Sequence, residues 1–327
     1  MYATLGNHDS FPEMVSAYSC DASSWNYNLL SSLWLKNKWI DGPAADSIKT
    51  HFGAYAYTAP QGFKVISLNT DFWYVHNIFN YANYTSPDQS GMLKFLIAEL
   101  TASEKLDQRV WIIGHVPNGY GNTDPLPNPS ALFHSIVVRF SPKTIAMIAW
   151  GHTHADQKII YYDFAPNSLD ATGLRDTTKI NTAKPLNVGW IAPSLTPLSN
   201  LNAGWVLYQI SPTIFSVIDT QTIFADVSQA SKWTDMAVWK QEYDARKTYD
   251  PKGSWPKHAP LNATFWDQYL VQAMDKDPKV AETYAGLETK GSTHQSQSCA
   301  GAACAKVKKC HIQSGSAAAA AGCRSGG

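Results

Sequence analysis

Thr144-Ile145-Ala146-Met147-Ile148-Ala149-Trp150 runs directly into Gly151-His152-Thr153-His154. An apolar run of that length, rich in branched side chains and closed by glycine, reads as a buried strand. The same arrangement occurs upstream, where Arg109-Val110-Trp111-Ile112-Ile113 stops at Gly114-His115, and a third short motif, Gly6-Asn7-His8-Asp9, opens the chain. Glycine ahead of each histidine lets the backbone turn sharply and bring an imidazole close to its surroundings. Loops at strand ends are where layered α/β folds gather ligands.

Working outward, residues 63–69, 158–162, 188–192, 205–210 and 214–218 read as further strands, and 1–5 as a strand leading into Gly6. Apolar side chains recur at helical spacing over 90–106, and 131–140 reads as a second helix. The stretch 25–39 reads as a core helix rather than a membrane-contact face. This alternation is the mark of an α/β layered domain. After Val227 the chain turns polar and aromatic, with Pro and Gly punctuating 232–260 and short helices expected over 262–274 and 278–287. A boundary near 228 divides the chain into 1–228 and 229–327. No internal repeat is visible.

Composition narrows the function. Twenty-six basic residues balance 26 acidic ones, so no field favours nucleic acid. No stretch approaches the ~18 apolar residues of a membrane span, and the opening residues are not a signal peptide. Four of the five cysteines, Cys299, Cys304, Cys310 and Cys323, crowd the end of the chain among Gly, Ala and Ser. That tail reads as disulfide-stapled and so as secretory; a zinc knuckle with His311 is the alternative. The sequons Asn83-Tyr84-Thr85 and Asn262-Ala263-Thr264 agree with secretion.

Singly, each histidine motif could be a turn or a chance pair. Together, in order and at strand ends, they point to a cation site: an Asn oxygen and neutral imidazoles suit borderline divalent ions such as zinc or manganese. Of the other histidines, His134 reads as packed in a helix, and His51, His76, His258, His294 and His311 carry no partner spacing. Asp71, just beyond a strand, is a candidate to orient a ligand.

Gly-Asn-His-Asp, Gly-His and Gly-His-x-His resemble three successive signatures of the calcineurin-like metallophosphoesterases. Leu5 to Ser10, Val65-Ile66-Ser67-Leu68-Asn69, Ile112 to Pro117, Trp150 to His154 and Ile191-Ala192-Pro193-Ser194 running to Gly204–Ile210 are similar to the acid sphingomyelinase branch of that family. The resemblance is strong over 1–225 and looser in the tail. It implies a β-sandwich of two mixed sheets flanked by helices, incomplete at the N-terminus, followed by a small helical Cys-rich region paired as Cys299 with Cys304 and Cys310 with Cys323. It implies a secreted, lysosomal or vacuolar hydrolase using two divalent ions, zinc first. Asn7, His115 and His152 would ligate one ion and His154 the other, and His8, oriented by Asp9, would protonate the leaving alkoxide. The substrate would be sphingomyelin or a related phosphodiester lipid or small molecule, with transient membrane-surface contact; a nucleotide phosphodiester is the alternative, because Leu198 stands where the branch often offers an aromatic.

Only five residues precede Gly6. The family's first two signatures, Asp-x-His and Gly-Asp-x-x-Asp/Asn, are therefore expected to be missing from this sequence, together with the bridging aspartate and two ligands. A partial gene model or alternative start, a non-catalytic fragment, and a lost upstream mate for Cys20 follow as expectations.

Overall fold

The computed structural model describes residues 1–18, 20–83, 85–121, 124–169, 175–292 and 299–325. Tyr84 of the first sequon, His294 and the side chain of Cys20 fall outside the described residues.

The apolar runs form the middle of a six-stranded sheet. Its strands are β1 (Tyr55–Thr58), β2 (Lys64–Ser67), β3 (Val110–Ile113), β4 (Ile145–Trp150), β5 (Gln157–Phe164) and β6 (Ile180–Ile191), in the order β1-β2-β3-β4-β6-β5. β2, β3, β4 and β6 run parallel, and the antiparallel β1 and β5 close the two sides. Parallel strands are covered on both faces, so Val65, Ile66, Val110, Ile112 and Ile148 are all fully buried.

Two helices supply one cover. In α3 (Met92–Lys105), Met92, Leu93, Phe95, Leu96 and Leu100 are buried, and in α4 (Pro127–Phe140) so are Phe133, Ile136, Val137 and Phe140. The first lies where the periodicity placed it, and the second begins at Pro127, ahead of the expected 131. Ahead of them, α1 (Cys20–Lys36) and α2 (Gly42–Thr50) pack on Tyr55 and Leu5 through Tyr27, Trp34, Ala44, Ala45 and Ile48. The α2 turn is capped by Asp41, whose carboxylate accepts from Ala44 N–H. The core reading of 25–39 holds for Tyr27 and Trp34, whereas Trp25, Leu29, Leu33 and Leu35 face outward.

The second sheet is antiparallel, β7 (Ala203–Ile210), β8 (Val217–Ala225) and β9 (Trp239–Asp244), in that order. It faces the first through the Trp190 and Tyr208 rings, 5.8 Å apart, and through hydrogen bonds from Lys158 Nζ to Tyr243 OH (3.0 Å) and from Thr222 Oγ1 to Asp156 (2.5 Å).

Three local expectations are corrected. Residues 1–5 carry no ladder; they are tied down by Tyr55 OH to Ala3 O at 2.8 Å and Ser67 Oγ to the same oxygen at 3.2 Å. Residues 211–216 form the β7–β8 turn, closed by Ser211 N to Ser216 O at 2.9 Å with Phe215 at φ 54°, so the strand expected at 214–218 begins at Val217. Strand β9 was hidden because Trp-Lys-Gln-Glu-Tyr-Asp lacks an apolar alternation; its first three residues are exposed.

The remaining helices are α5 (Ala245–Tyr249), α6 (Ala263–Trp266), α7 (Gln272–Lys276), α8 (Lys279–Glu288), α9 (Gly301–Gln313) and α10 (Ala317–Ser325), with a π-helical turn joining α6 to α7. Disulfides Cys299–Cys304 and Cys310–Cys323 are formed. Residues beyond 228 join the main core, where Trp266, Leu270, Tyr284 and Ile312 pack with Ile159 and Trp190. The tail also grips the loop after β3: Tyr120 N donates to Ser314 O (2.9 Å) and Asn118 Nδ2 to Gly315 O (2.7 Å). Among the described residues no helix is long and apolar enough to cross a membrane.

Candidate active site

The carboxyl ends of β2, β3, β4 and β6 meet along one edge of the large sheet because these strands run parallel. β3 and β4 are neighbours with Ile113 opposite Ala149. Gly114-His115 and Gly151-His152 therefore leave the sheet side by side, and Gly151 N donates to His115 O at 2.9 Å. Beyond β2, the Thr70 hydroxyl accepts the backbone N–H groups of His115 (3.1 Å) and Val116 (2.7 Å). The opening turn folds over this edge, with Asp9 N donating to Gly6 O (3.0 Å) and Met14 N to Asn7 O (2.8 Å).

Glycine is needed at one of these corners and relieves crowding at another. A β-carbon on Gly6 would stand 3.1 Å from the His115 ring, and one on Gly114 would overlap Trp150 at 2.5 Å and Thr70 at 2.7 Å. At Gly151 there is ordinary room. Beyond it the strain lies in His152 (φ 70°) and His154 (φ 61°), side-chain-bearing residues in the left-handed region. Conformations of that kind persist where the surroundings over-determine them, commonly at functional sites.

Asn7 Oδ1 lies 2.8 Å from His115 Nε2 and 3.2 Å from His152 Nδ1, and the two rings stand edge to face at 5.1 Å. His152 Nε2–H donates to Asp124 Oδ2 at 2.9 Å. In the neutral ring this leaves a lone pair on Nδ1 facing those of the Asn7 oxygen. Such a pair repels unless a proton or cation stands between. His154 Nδ1 is buried and has no hydrogen-bond partner among the described residues. Burial first, then the His152, His8 and His154 rings, depress His115 to about 3, so it is the neutral imidazole that a metal ion accepts. His154 is lowered too, again chiefly by burial.

An amide oxygen and neutral imidazoles, with the unpartnered Nδ1 of His154 beside them, therefore fit part of a divalent cation's shell. Among the described residues no three His, Cys, Asp or Glu side chains form a ready ligand set. The set that does converge is two imidazoles and one amide oxygen.

Of the six expected residues, Asn7, His115 and His152 are in direct contact, and His154 is within electrostatic reach of His152 and His8. Asp9 lies elsewhere than against the His8 ring. Its Oδ2 accepts Gly6 N–H at 2.8 Å, because the turn closes back on Gly6. The His8 ring is met instead by Glu13, at Nδ1, and both side chains are exposed.

Glu13 and Asp124 were missed in the sequence. A usable signal existed for the second, since Asp124 is the sole carboxylate between His115 and His152. Leu198 comes from the loop after β6, and its backbone bonds to His154.

Asp71 is buried beneath this edge. Its Oδ2 accepts from Ser16 Oγ at 2.8 Å, and Oδ1 has no partner among the described residues. Burial, only partly opposed by the Ser16 bond and by His152, raises its pKa from 3.8 to about 6. The folded state thus keeps a proton that the unfolded chain releases near pH 4, so stability falls as pH rises from about 4 to 6 and is level above that. For Asp71→Asn in chelator, thermal unfolding across this window is expected to lose up to about 3 kcal/mol of pH dependence. An unaltered pH profile would show the carboxyl to be ordinary.

Comparison with protein families matches residues 1–156 to calcineurin-like phosphoesterase. Among curated relatives, sphingomyelin phosphodiesterase 2 of Caenorhabditis elegans is 33% identical over 260 residues, covering 76% of this chain and 38% of the relative. Sphingomyelin phosphodiesterase of Bos taurus is 30% identical over 301 residues, covering 89% and 43%. A cyclic GMP-AMP phosphodiesterase of Homo sapiens is 26% identical over 261 residues, covering 76% and 52%. The chain thus spans less than half the length of these two sphingomyelin phosphodiesterases.

Proposed function

The chain belongs to the calcineurin-like phosphoesterase family, and from that premise we propose that it hydrolyses phosphodiesters with water, taking sphingomyelin or a related choline phosphodiester to phosphocholine and ceramide. The observation that carries this reading is the meeting of Asn7, His115 and His152 at one sheet edge.

In this reading Asn7, His115 and His152 hold one divalent cation, zinc first, and His154 belongs to a second. When bound, such ions neutralise charge on the phosphodiester and lower the pKa of a water. Asp124 keeps His152 turned with Nδ1 inward, and Thr70 anchors the His115 backbone. His8, held at Nδ1 by Glu13, presents Nε2 at the lip and gives its proton to the leaving alkoxide as the phosphorus–oxygen bond breaks. Phe11, Leu195 and Leu198 are exposed on loops adjoining His8 and His154, which supports transient contact with a lipid surface. The two disulfides support folding in an oxidising compartment, secreted, lysosomal or vacuolar, and Asn262 of the second sequon is exposed there for glycosylation.

A nucleotide phosphodiester is the second reading. Leu198, beside His154, offers no ring face to a quaternary ammonium, and one relative bears the name of a cyclic dinucleotide phosphodiesterase. Parallel turnover assays with zinc on sphingomyelin vesicles, a cyclic dinucleotide and a nucleoside triphosphate separate the two. Phosphocholine release as the dominant product is the expected result. Preference for a nucleotide would move the substrate to the second reading, and failure on every diester would end the phosphodiesterase proposal.

A further inference from the structure

Lys290 follows α8, far from the histidine motifs in sequence, yet its side chain is fully buried and its Nζ donates to the backbone carbonyl of His154 at 2.8 Å. The acceptor belongs to one of the two strained histidines, at φ 61°. A left-handed backbone on a residue with a side chain costs on the order of 1 kcal/mol or more and needs an external hold. Burying an ammonium is itself expensive, so a cation here is an uncommon way to tie down a loop.

The lysine is fixed independently of His154. Its N–H donates to Leu287 O (3.0 Å), its carbonyl accepts from Asn202 Nδ2 (2.8 Å), and next to it Asp156 N donates to Glu288 O (3.0 Å). Its methylene stem passes Gly204 of β7 so closely that a β-carbon there would overlap it. Asp156, Glu242 and Glu288 supply the surrounding negative charge. Three elements thus aim one ammonium at one carbonyl, and the unpartnered Nδ1 of His154 stands on the same residue.

We propose that Lys290 is a positioning residue, which holds the His154 backbone in its left-handed turn and so presents the imidazole to a divalent cation. The inference rests on the reading of His154 as a ligand. It makes the region beyond 228 a working part of the site.

Zinc titration calorimetry on the whole chain, together with the ring signals of histidine-labelled protein in nuclear magnetic resonance, tests it. Lys290→Met is expected to weaken zinc binding ~10–100-fold and to move the His154 ring signals even without zinc. Lys290→Arg, which returns a buried cationic donor, is expected to recover most of the affinity. Should Lys290→Met not fold, Gly204→Ala displaces the stem while keeping the lysine, and the same two changes are expected. Wild-type affinity and an unmoved His154 ring in these variants would overturn the positioning role and leave the ligand reading standing. Unchanged zinc affinity in His154→Ala would overturn the ligand reading, and this inference with it.

Discussion

His115→Ala is expected to abolish divalent-cation binding and phosphodiester turnover together, with kcat/KM falling ~10³-fold or more, the equivalent of about 4 kcal/mol of charge stabilisation. His115 leaves β3 beside β4, its Nε2 faces the Asn7 oxygen, and it is held in the neutral state down to about pH 3. The expected loss must be told apart from unfolding, since removing a buried ring partner alone costs about 1–3 kcal/mol. Asn7→Asp provides the contrast: it disturbs the same contact but adds charge, so zinc affinity is expected to be kept or raised. The readouts are calorimetric zinc affinity and steady-state turnover, with circular dichroism as the folding control. Zinc affinity in His115→Ala within about threefold of wild type would remove the cation site from this sheet edge.

The second large effect concerns proton delivery. His8→Gln keeps a polar side chain of similar reach but cannot supply a proton, and kcat on a diester with an alkoxide leaving group is expected to fall ~10²–10⁴-fold. With a nitrophenolate leaving group, which departs without protonation, the same variant is expected to lose less than about tenfold. His8 is exposed and among the described residues is bonded through Nδ1 to the equally exposed Glu13, so its replacement should not disturb the fold. Equal losses on both substrates would assign His8 to binding or structure instead.

Much of this architecture was legible because its signals are local. The runs ending at Trp150 and Ile113 are continuous and branched, as parallel strands covered on both faces must be, and the histidines just beyond them had to emerge at one edge once those strands were neighbours. Of the three motif glycines read as tight corners, Gly114 and Gly6 do stand in close quarters, whereas Gly151 has ordinary room. What escaped depends on contacts between distant residues. Strand β9 is polar because one face is open to solvent, and only its pairing with β8 makes it a strand. The partner of the His8 ring depended on which way a six-residue turn closed, and the family resemblance pointed to Asp9 where the turn supplies Glu13. Asp124 lies 28 residues from His152 and Lys290 lies 136 from His154; no periodicity links such pairs.

The grip of the tail on the loop after β3 carries its own consequence. Tyr120 and Asn118, a few residues past His115, are hydrogen-bonded to the backbone at Ser314 and Gly315, and Ala305, Ala317 and Ala320 are buried around them. Backbones approach that closely only where side chains are small, so an alanine- and serine-rich ending that looks like filler is sterically constrained. Hydrogen exchange should find the tail and the His115 loop opening as one cooperative unit, with no state in which the first frays while the second stays ordered.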